Sequence, residues 1–529
     1  MRVSVFALTA VFLAASPAPA TDRSDPAALA KRIDRHVLAK LSAAGVPPAP
    51  LADDAMFLRR TYLLLVGRVP MPSEVYAFLE DRDPNKRATL IDRLLASPGY
   101  ANHFTAVWRG WLIPEAMTRY EVAALVPGFD AWLRKKLVEN TPYDKFATEL
   151  LTASLTPPRN TPNQFLQPIG EDAVFGMQGP LAFYYAKDAK PENLAAATAR
   201  VFLGVQIECA QCHDHPFARW SRDQFWGLAA FFAGVEKVQP NNDFGPLREV
   251  LDRRELAIPN TDQVLQATFL DDTEPEWKPG TSSRTTLAAW ITARDNRFFA
   301  RAAVNRMWGY VFGTGIVDPI DDFNDENKPS HPELLDELAK EFAASGYDLR
   351  FLIKAILLSE TYQHDSALAD PKQANPRLFA RFPVQALTPE QLYDSLALIA
   401  SAGQEPAGQY LVNPGSPKRQ FLDKFAIVGA KTEAPTSILQ SLTLMNGELV
   451  AVATDPDKSR PVMVVVGLPG LTDEDRVEIL YLTALGRKPK PAEMDRALRH
   501  VRADPTNPKK RYGDLLWALL NSAEFRTNH

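Results

Sequence analysis

The sequence predicts a mainly α fold with two helical domains, terminal helix–turn–helix repeats and few short strands. Helix-start signatures recur along the chain, and apolar residues follow them at the three- and four-residue spacing of a buried helix face. The 43 prolines lie largely between such segments, which predicts many short helices joined by stiff turns. At 529 residues the chain exceeds one compact core, so at least two domains are expected.

Residues 1–20 are predicted to be a signal peptide. A positively charged start is followed by a short apolar run and then by Ala18 and Ala20, small residues at the cleavage positions. The run is too short to cross a bilayer comfortably, and an uncleaved anchor or a core helix is the alternative. We therefore expect an exported protein, periplasmic or extracellular, of a bacterial cell envelope.

The rest of the chain shows no signature of a membrane span or of nucleic-acid binding. No later apolar stretch reaches the length of a membrane helix, so no integral span is expected after signal cleavage. A net charge of -5 and a charged fraction of 23% are ordinary, so no nucleic-acid partner is predicted. Signatures of phosphate loops, serine hydrolases and zinc proteases are missing as well, so the sequence identifies no reaction.

A change in composition divides the helical part of the chain in two. Residues 31–236 are the predicted N-terminal helical domain, and residues 284–529 are the predicted C-terminal one. Between them, residues 237–283 are rich in Pro, Asp, Asn and Glu and lack helical periodicity, which predicts a linker. The main strand-like patterns are Val462–Val466 and Val264–Leu270.

Two helix starts are marked clearly in the C-terminal half. Ser330 and Glu333 have the spacing of a capping box, and Gly346 follows as the expected end of that helix. Thr388 and Gln391 have the same spacing, with proline at the first helical position. Both signatures predict the start of a helix, and the second predicts Pro389 as its first helical residue.

The two ends of the chain carry a similar phrase. Residues 62–79 read YLLLVGRVPMPSEVYAFL and residues 481–498 read YLTALGRKPKPAEMDRAL, a pattern of helix, glycine stop, proline-bounded turn and helix. A further helix after each copy ends in related phrases around Ser97 and Ser522, and Ser359 gives a partial third. Such self-similarity predicts a duplicated scaffold unit without chemistry of its own. Ordinary helix ends, where Gly and Ser recur as caps, are the alternative.

The strongest chemical signal is Cys209-Ala210-Gln211-Cys212-His213, which contains both cysteines of the chain. This CxxCH pattern is the attachment motif of a c-type haem, in which two thiols add to the haem vinyl groups and the histidine binds iron. On an α-helix the two thiols and His213 would lie on one face. We therefore predict a covalent haem c on Cys209 and Cys212, with His213 as the metal ligand.

The flanking sequence is consistent with a helix that carries the motif. Residues 198–207 are apolar and compatible with a helix, and His215 precedes Pro216, which disfavours further helix. Aromatic residues near the motif are candidate apolar walls for a porphyrin, although such residues more often form core. They are Phe202, Phe217, Trp220, Phe225, Trp226, Phe231 and Phe232.

Three other interpretations of the motif stay open. Cys209 and Cys212 would close to a redox-active disulfide in an oxidising compartment, although no βαβ pattern surrounds them. A zinc site would use the two cysteines with His213 and His215, but zinc sites usually draw two ligands from a distant segment. The pair would also fit a purely structural role.

The sixth iron position and a cation site have weaker candidates. Met177, His103 and His331 are options for the second axial ligand, and a five-coordinate iron is the alternative. The segment Asp318–Glu326, called the acidic loop below, has the charge to hold a cation but lacks the pattern of an EF-hand. A solvated loop is its simpler interpretation.

These features together resemble the planctomycete cytochrome c-like proteins, exported chains that pair a cytochrome c-like domain with a characteristic C-terminal domain, both of unknown function. The resemblance covers nearly all of the mature chain. The segments that carry it are Ile33–Tyr100, Glu208–Phe217, Val304–Gly309, Gly315–Val317, Pro329–Asp336 and Leu442–Gly447.

The resemblance implies that residues 31–236 are a cytochrome c-like domain and that Cys209, Cys212 and His213 hold haem. It supplies no reaction. A separate N-terminal cytochrome module is missing here, so a redox partner would be another protein of the envelope. Our leading hypothesis is thus electron transfer by an exported haem protein. A haem-free helical scaffold with a Cys209–Cys212 disulfide and an envelope polysaccharide-processing enzyme are the alternatives.

Overall fold

The computed structural model describes residues 25–155, 179–216, 218–243, 245–401, 408–426 and 438–529. The predicted signal peptide, Met177 and Phe217 lie outside these ranges. The structure is 58% helical with a few short antiparallel strands, so the predicted mainly α class is confirmed.

The N-terminal half is a succession of short helices, and many begin at a polar capping residue, at a proline, or at both. Ser97, for example, accepts a hydrogen bond from the Tyr100 amide at 3.2 Å, with Pro98 as the first helical residue. The helices are α1 (Pro26–Ala44), α2 (Asp54–Leu65), α3 (Pro72–Glu80), α4 (Lys86–Leu95), α5 (Pro98–Leu112), α6 (Tyr120–Ala123), α7 (Val126–Val138), α8 (Tyr143–Leu151), α9 (Leu181–Ala186), α10 (Pro191–Thr198) and α11 (Arg222–Ala230).

Short turns of other helix types join several of these elements. They are 3-10 turns at Pro114–Met117, Glu208–Gln211, Pro371–Ala374 and Pro376–Leu378, and a π-helical turn at Ala199–Leu203.

The predicted linker contains two small antiparallel hairpins. In the first, β1 (Val235–Lys237) pairs with β2 (Leu247–Glu249), and in the second, β3 (Glu255–Ala257) pairs with β4 (Val264–Gln266). Both strands of the second hairpin pack on α11. The strand predicted at Val264–Leu270 is therefore confirmed for its first three residues.

The C-terminal half continues the helical pattern. Its helices are α12 (Ser283–Ile291), α13 (Phe299–Phe312), α14 (Pro332–Ala344), α15 (Leu349–Leu358), α16 (Glu360–Gln363), α17 (Pro389–Ala400), α18 (Gln409–Val412), α19 (Pro417–Phe425), α20 (Ile438–Asn446), α21 (Glu448–Thr454), α22 (Arg460–Gly467), α23 (Asp473–Leu485), α24 (Pro491–Val501) and α25 (Pro508–Leu520). One more strand pair joins β5 (Gln385–Ala386) to β6 (Thr527–Asn528).

The strand predicted at Val462–Val466 is wrong, because these residues lie inside α22. Ser459 caps that helix by accepting a hydrogen bond from the Val462 amide at 3.3 Å. Val462 and Val465 are buried three positions apart, the spacing of a helix face. The cap and this burial outweigh the β preference of a valine run.

The two marked helix starts had different outcomes. Thr388 and Gln391 form the predicted capping box at the start of α17. At α14 the capping residue is His331 without a side-chain cap bond, so the capping box predicted from Ser330 is wrong. The Ser330 hydroxyl lies 3.0 Å from His331 Nδ1 instead. The predicted end of that helix is confirmed, since Gly346 follows it with φ of 75°.

The two terminal phrases that predict a duplicated unit have the same local geometry. Gly67 and Gly486 follow α2 and α23 with φ of 75° and 69°. Arg68 forms two hydrogen bonds with the Glu74 carboxylate, at 2.9 and 3.0 Å, and Arg487 forms two with Glu493, at 2.7 and 2.9 Å. Bidentate clamps of this kind fix the turn between the two helices of each unit.

The serine phrases that follow each unit also have the same geometry. The hydroxyls of Ser97, Ser522 and Ser359 donate to a carbonyl three residues back at 2.7, 2.7 and 2.6 Å. Each hydroxyl then accepts the amide three residues ahead at 3.2 Å. The partial third copy therefore shares the capping arrangement of the other two.

The main hydrophobic core extends across the predicted linker. α1 packs on α15, so the first helix lies against the C-terminal half. Arg60 of α2 is fully buried, and it donates hydrogen bonds to the carbonyl of His364 at 3.0 Å and to that of His529 at 3.1 Å. The predicted division into two domains separated by residues 237–283 stays a prediction. In the structure, the two halves pack against each other.

Candidate functional site

Cys209 and Cys212 lie on a short surface turn. The chain between Glu208 and Gln211 forms one 3-10 turn, and Cys212 is the first residue after it. The prediction that an α-helix places the thiols and His213 on one face is therefore wrong. The preceding helix ends in the π-helical turn, and Gly204 then adopts φ of 67°, which stops the helix before the motif.

Both thiols are accessible. The side chains of Cys209 and Cys212 are exposed and form no disulfide. The backbone that carries them is held from below, since Ala210 is fully buried and the Trp226 indole donates to the Gln211 carbonyl at 3.0 Å. The turn thus presents two free thiols from an anchored backbone.

His213 is exposed and has one ring nitrogen in a local contact. Its Nδ1 lies 2.7 Å from the Asp214 carbonyl oxygen, and Asp214 in turn accepts the amide of Arg222 at the start of α11. A carbonyl oxygen accepts hydrogen bonds and cannot donate them, so Nδ1 carries the proton. In the neutral ring Nε2 then carries the lone pair, which is the tautomer that binds a metal while a carbonyl holds the other nitrogen.

His215 and Pro216 do not end a helix as predicted, because the turn has already ended at Gln211. His215 instead closes the loop after the motif. Its amide donates to the Trp220 carbonyl at 2.8 Å, and its Nδ1 accepts the Ala218 amide at 2.9 Å. The residue is therefore part of the loop that connects the motif to α11.

The aromatic residues predicted as porphyrin walls are used elsewhere. The six that the structure describes are all buried in the main core: Phe202, Trp220, Phe225, Trp226, Phe231 and Phe232. Phe231, for example, stacks on Phe269 with 5.0 Å between ring centres. These six rings therefore fill the core, and the candidate haem-binding groups at the surface are Cys209, Cys212 and His213 alone among the described residues predicted around the motif.

Two small cavities in the described chain lie away from the motif. One of about 10 Å³ is lined by Trp108 and Phe146, among others, and one of about 20 Å³ by Gln373 and Phe379. Neither is lined by a residue of the CxxCH turn.

The candidates for a second axial ligand have local partners. His103 Nε2 lies 2.8 Å from the Tyr310 hydroxyl. His331 is buried, and its burial lowers the pKa of the imidazole to about 4. Met177 lies outside the described residues. In the part of the chain that the structure describes, no three His, Cys, Asp or Glu side chains lie close enough to hold a metal ion, so the zinc set is not assembled.

The acidic loop contacts its own residues and the segment before the motif. Asp322 accepts hydrogen bonds from the side-chain amides of Asn324, at 2.9 Å, and Asn327, at 2.7 Å. Asp321 accepts one from the Gln206 side chain at 2.8 Å. These contacts indicate a structured loop that supports its neighbours.

Sequence reasoning missed the charged residues next to the motif. Arg200 pairs with Glu208 at 2.7 Å and lies 3.7 Å from Asp321. Arg306 of α13 donates to the Arg200 carbonyl at 2.8 Å. The available signal was the pair Asn305 and Arg306 between apolar residues of α13, since polar side chains at such positions require polar partners.

Comparison with protein families assigns two parts of the chain. Residues 32–237 match the family model PSCyt2, described as a protein of unknown function (DUF1549). Residues 283–425 match the family model PSD1, described as a protein of unknown function (DUF1553). The chain pairs a PSCyt2-like region with a PSD1-like region. No significant match was found among curated proteins or among solved structures.

The two matches confirm the pairing of two domains of unknown function that the resemblance implied. The CxxCH turn lies near the end of the PSCyt2-like region, and Arg306 and the acidic loop belong to the PSD1-like region. Within the described ranges, none of the helices is both long and apolar enough to cross a bilayer.

Proposed function

We propose that the protein is an exported electron-transfer protein with one covalent haem c. Cys209 and Cys212 would carry the two thioether bonds, and Nε2 of His213 would bind the iron. Each thiol would add across one vinyl group and give its hydrogen to the second vinyl carbon, so attachment would need no oxidant.

The state of the three side chains carries this proposal. Both thiols are exposed and unbonded within one anchored turn, and His213 follows with Nδ1 held by a carbonyl and Nε2 available. Attachment requires free thiols that reach a porphyrin edge, and axial binding requires a neutral imidazole nitrogen.

A separate redox protein is the partner that this proposal requires. The chain has two cysteines, and they supply one CxxCH motif, so a second covalent haem is not available within it. The motif lies on an exposed turn, where another protein would approach the haem edge closely.

The test is the intact mass and visible spectrum of the full chain made with its leader in a host with a cytochrome c maturation system. We expect the mass of one added haem and a Soret band that survives acid and organic extraction. Cys212→Ala and Cys209→Ala should each lose most of the attached haem, seen as a smaller fraction of chains with the added mass and a weaker Soret band after extraction, because only one thioether bond remains possible. His36→Gln, which changes a histidine of α1 paired with Glu337, is the matched control and should retain the band.

A colourless protein from that host, with a mass two hydrogens below the reduced chain, would contradict the proposal. That result would favour the haem-free scaffold with a Cys209–Cys212 disulfide.

A further inference from the structure

A π-helical turn precedes the segment that leads to Cys209 at the surface. Ala199–Leu203 form this turn, and the Val205 amide donates back to the Ala199 carbonyl at 3.2 Å. Val205 and Ile207 are fully buried, so the backbone before the motif is seated on the core. A π-helical turn spaces its carbonyls differently from an α-helix, and such turns often occur at functional sites.

A buried arginine of the PSD1-like region binds this turn. The Arg306 guanidinium donates to the Arg200 carbonyl at 2.8 Å and lies 3.5 Å from the Val201 carbonyl. Arg306 is buried, and removal of the guanidinium from water lowers its pKa. The carbonyls of the turn are the polar groups that offset this loss of hydration.

The acidic loop supports the next residues of the same segment. The Phe323 amide donates to the Gly204 carbonyl at 2.8 Å. A Cβ atom at Gly204 would lie 2.8 Å from the Phe323 ring, so the loop and the turn are in close contact. Two residues further on, the Gln206 side chain donates to Asp321 at 2.8 Å.

A chain of charges continues from the loop to the residue before Cys209. Asp321 and Glu208 flank Arg200, at 3.7 and 2.7 Å. Arg200 is 46% exposed and Glu208 is 37% exposed, so these pairs add little to global stability. The ion pair with Arg200 orients Glu208, the residue that precedes Cys209.

The loop is itself held rigidly by α13. Asn305 is fully buried, and its side chain donates to the carbonyls of Val317 and Ile320, both at 2.8 Å. Its oxygen accepts the Val317 amide at 2.9 Å. Neighbouring residues of one helix, Asn305 and Arg306, therefore hold the loop and the π-helical turn together.

We infer that α13 and the acidic loop of the PSD1-like region form a positioning element for the CxxCH turn of the PSCyt2-like region. Arg306, Phe323 and Asp321 are its positioning residues. The inference goes beyond the proposed function, because the element would present the two thiols to any group that they bind. On this inference the PSD1-like region is paired with the PSCyt2-like region because it positions the CxxCH turn.

The test is hydrogen–deuterium exchange of the full chain, reduced and free of haem. Phe323→Ala removes the ring that packs on Gly204 but keeps the backbone donor. We expect exchange of the amides of residues 204–213 to rise about tenfold, since one lost packing contact changes a local opening constant by about that factor. Exchange in α7 and the unfolding midpoint should stay close to wild type.

Three further variants serve as a second test, a conservative rescue and a matched control. Asp321→Asn should raise exchange in the same segment about twofold, as expected for a weakened surface contact. Phe323→Leu should restore most of the protection. Asp325→Asn makes the same charge change on an exposed residue of the same loop and should have no effect.

Unchanged exchange of residues 204–213 in both Phe323→Ala and Asp321→Asn would overturn the inference. An increase spread equally over α7 would also overturn it, because that pattern indicates general destabilisation. Should Phe323→Ala fail to fold, Asp321→Asn decides alone. Since haem-free protein is measured, failure here is separate from failure of the haem proposal.

Discussion

His331 is a buried histidine that sits at the first turn of α14. Its Nδ1 faces the Ser330 hydroxyl, and its Nε2 is buried without a hydrogen-bond partner among the described residues. Burial, reinforced by the positive charge of Lys40, lowers the pKa of the imidazole to about 4. The folded protein therefore holds this side chain in its neutral form at neutral pH.

This histidine predicts a loss of stability in mild acid. Its folded pKa lies below the ordinary value of 6.5, so the unfolded chain takes up the proton first as the pH falls. The stability that its neutral form provides is complete above pH 6.5 and declines between pH 6.5 and 4. A shift of this size corresponds to roughly 3 kcal/mol. Urea unfolding of wild type and His331→Gln at pH 7 and pH 5 measures about 2 kcal/mol of this loss, because pH 5 lies about 1.5 units below 6.5.

The pH dependence should be weaker in His331→Gln than in wild type. His36→Gln is the control, because that histidine is paired with Glu337 at 2.6 Å and is partly exposed. Parallel pH dependence of wild type and His331→Gln would assign the acid sensitivity to other groups.

At the scale of elements, the duplicated terminal units offer a matched pair of glycines. Gly67 and Gly486 both end a helix with positive φ, but their surroundings differ. A Cβ atom at Gly67 would lie 2.3 Å from His103 Nδ1, whereas one at Gly486 would lie 3.4 Å from Pro70. The two copies therefore share their conformation and differ in their packing.

We expect Gly486→Ala to lower the free energy of unfolding by about 1–2 kcal/mol, the cost of a left-handed alanine. Gly67→Ala should cost about 1–3 kcal/mol more, because the added methyl group must displace the His103 ring. Chemical denaturation of both variants measures the difference. Gly346→Ala is the control, since φ is 75° there and the space is open. Equal losses in all three variants would refute the role of His103.

The valine run of α22 shows how element type depends on context. Valines favour strands in general, and the sequence alone predicts one at Val462–Val466. The Ser459 cap and the burial of Val462 and Val465 on one helix face favour the helix once these valines can pack on a core. The neighbouring helices that supply this core, α23 and α25, follow later in the chain.

At the scale of the whole molecule, the features that depend on residues close in sequence were predicted better than those that depend on long-range contacts. The helical class and the Thr388 capping box follow from residues close in sequence, and both are confirmed. The two terminal phrases also follow from neighbouring residues, and their Arg–Glu clamps have the same geometry. The CxxCH motif is readable for the same reason. The α-helix predicted around Cys209 is wrong because Gly204 and the distant Phe323 fix the turn there. Contacts across more than a hundred residues leave no periodic trace in one sequence.

The packing of the chain ends predicts that both halves unfold together. α1 buries Leu29, Ile33 and Val37, and it packs on α15 of the other half. Arg59 donates to the carbonyls of Ala484 at 3.1 Å and Phe525 at 2.9 Å. Separating the halves would expose this apolar face and leave a buried cation without partners, each a large cost.

We therefore expect one cooperative transition for the full chain, with coincident curves from far-UV circular dichroism and tryptophan fluorescence. Separate fragments 25–236 and 284–529 should each have less helix than in the full chain, because each lacks the surface that covers its apolar face. Equimolar mixing should recover part of that ellipticity, with the sum of the unmixed spectra as the control. Two separated transitions, or fragments as helical alone as in the full chain, would show instead that the two halves fold as independent domains.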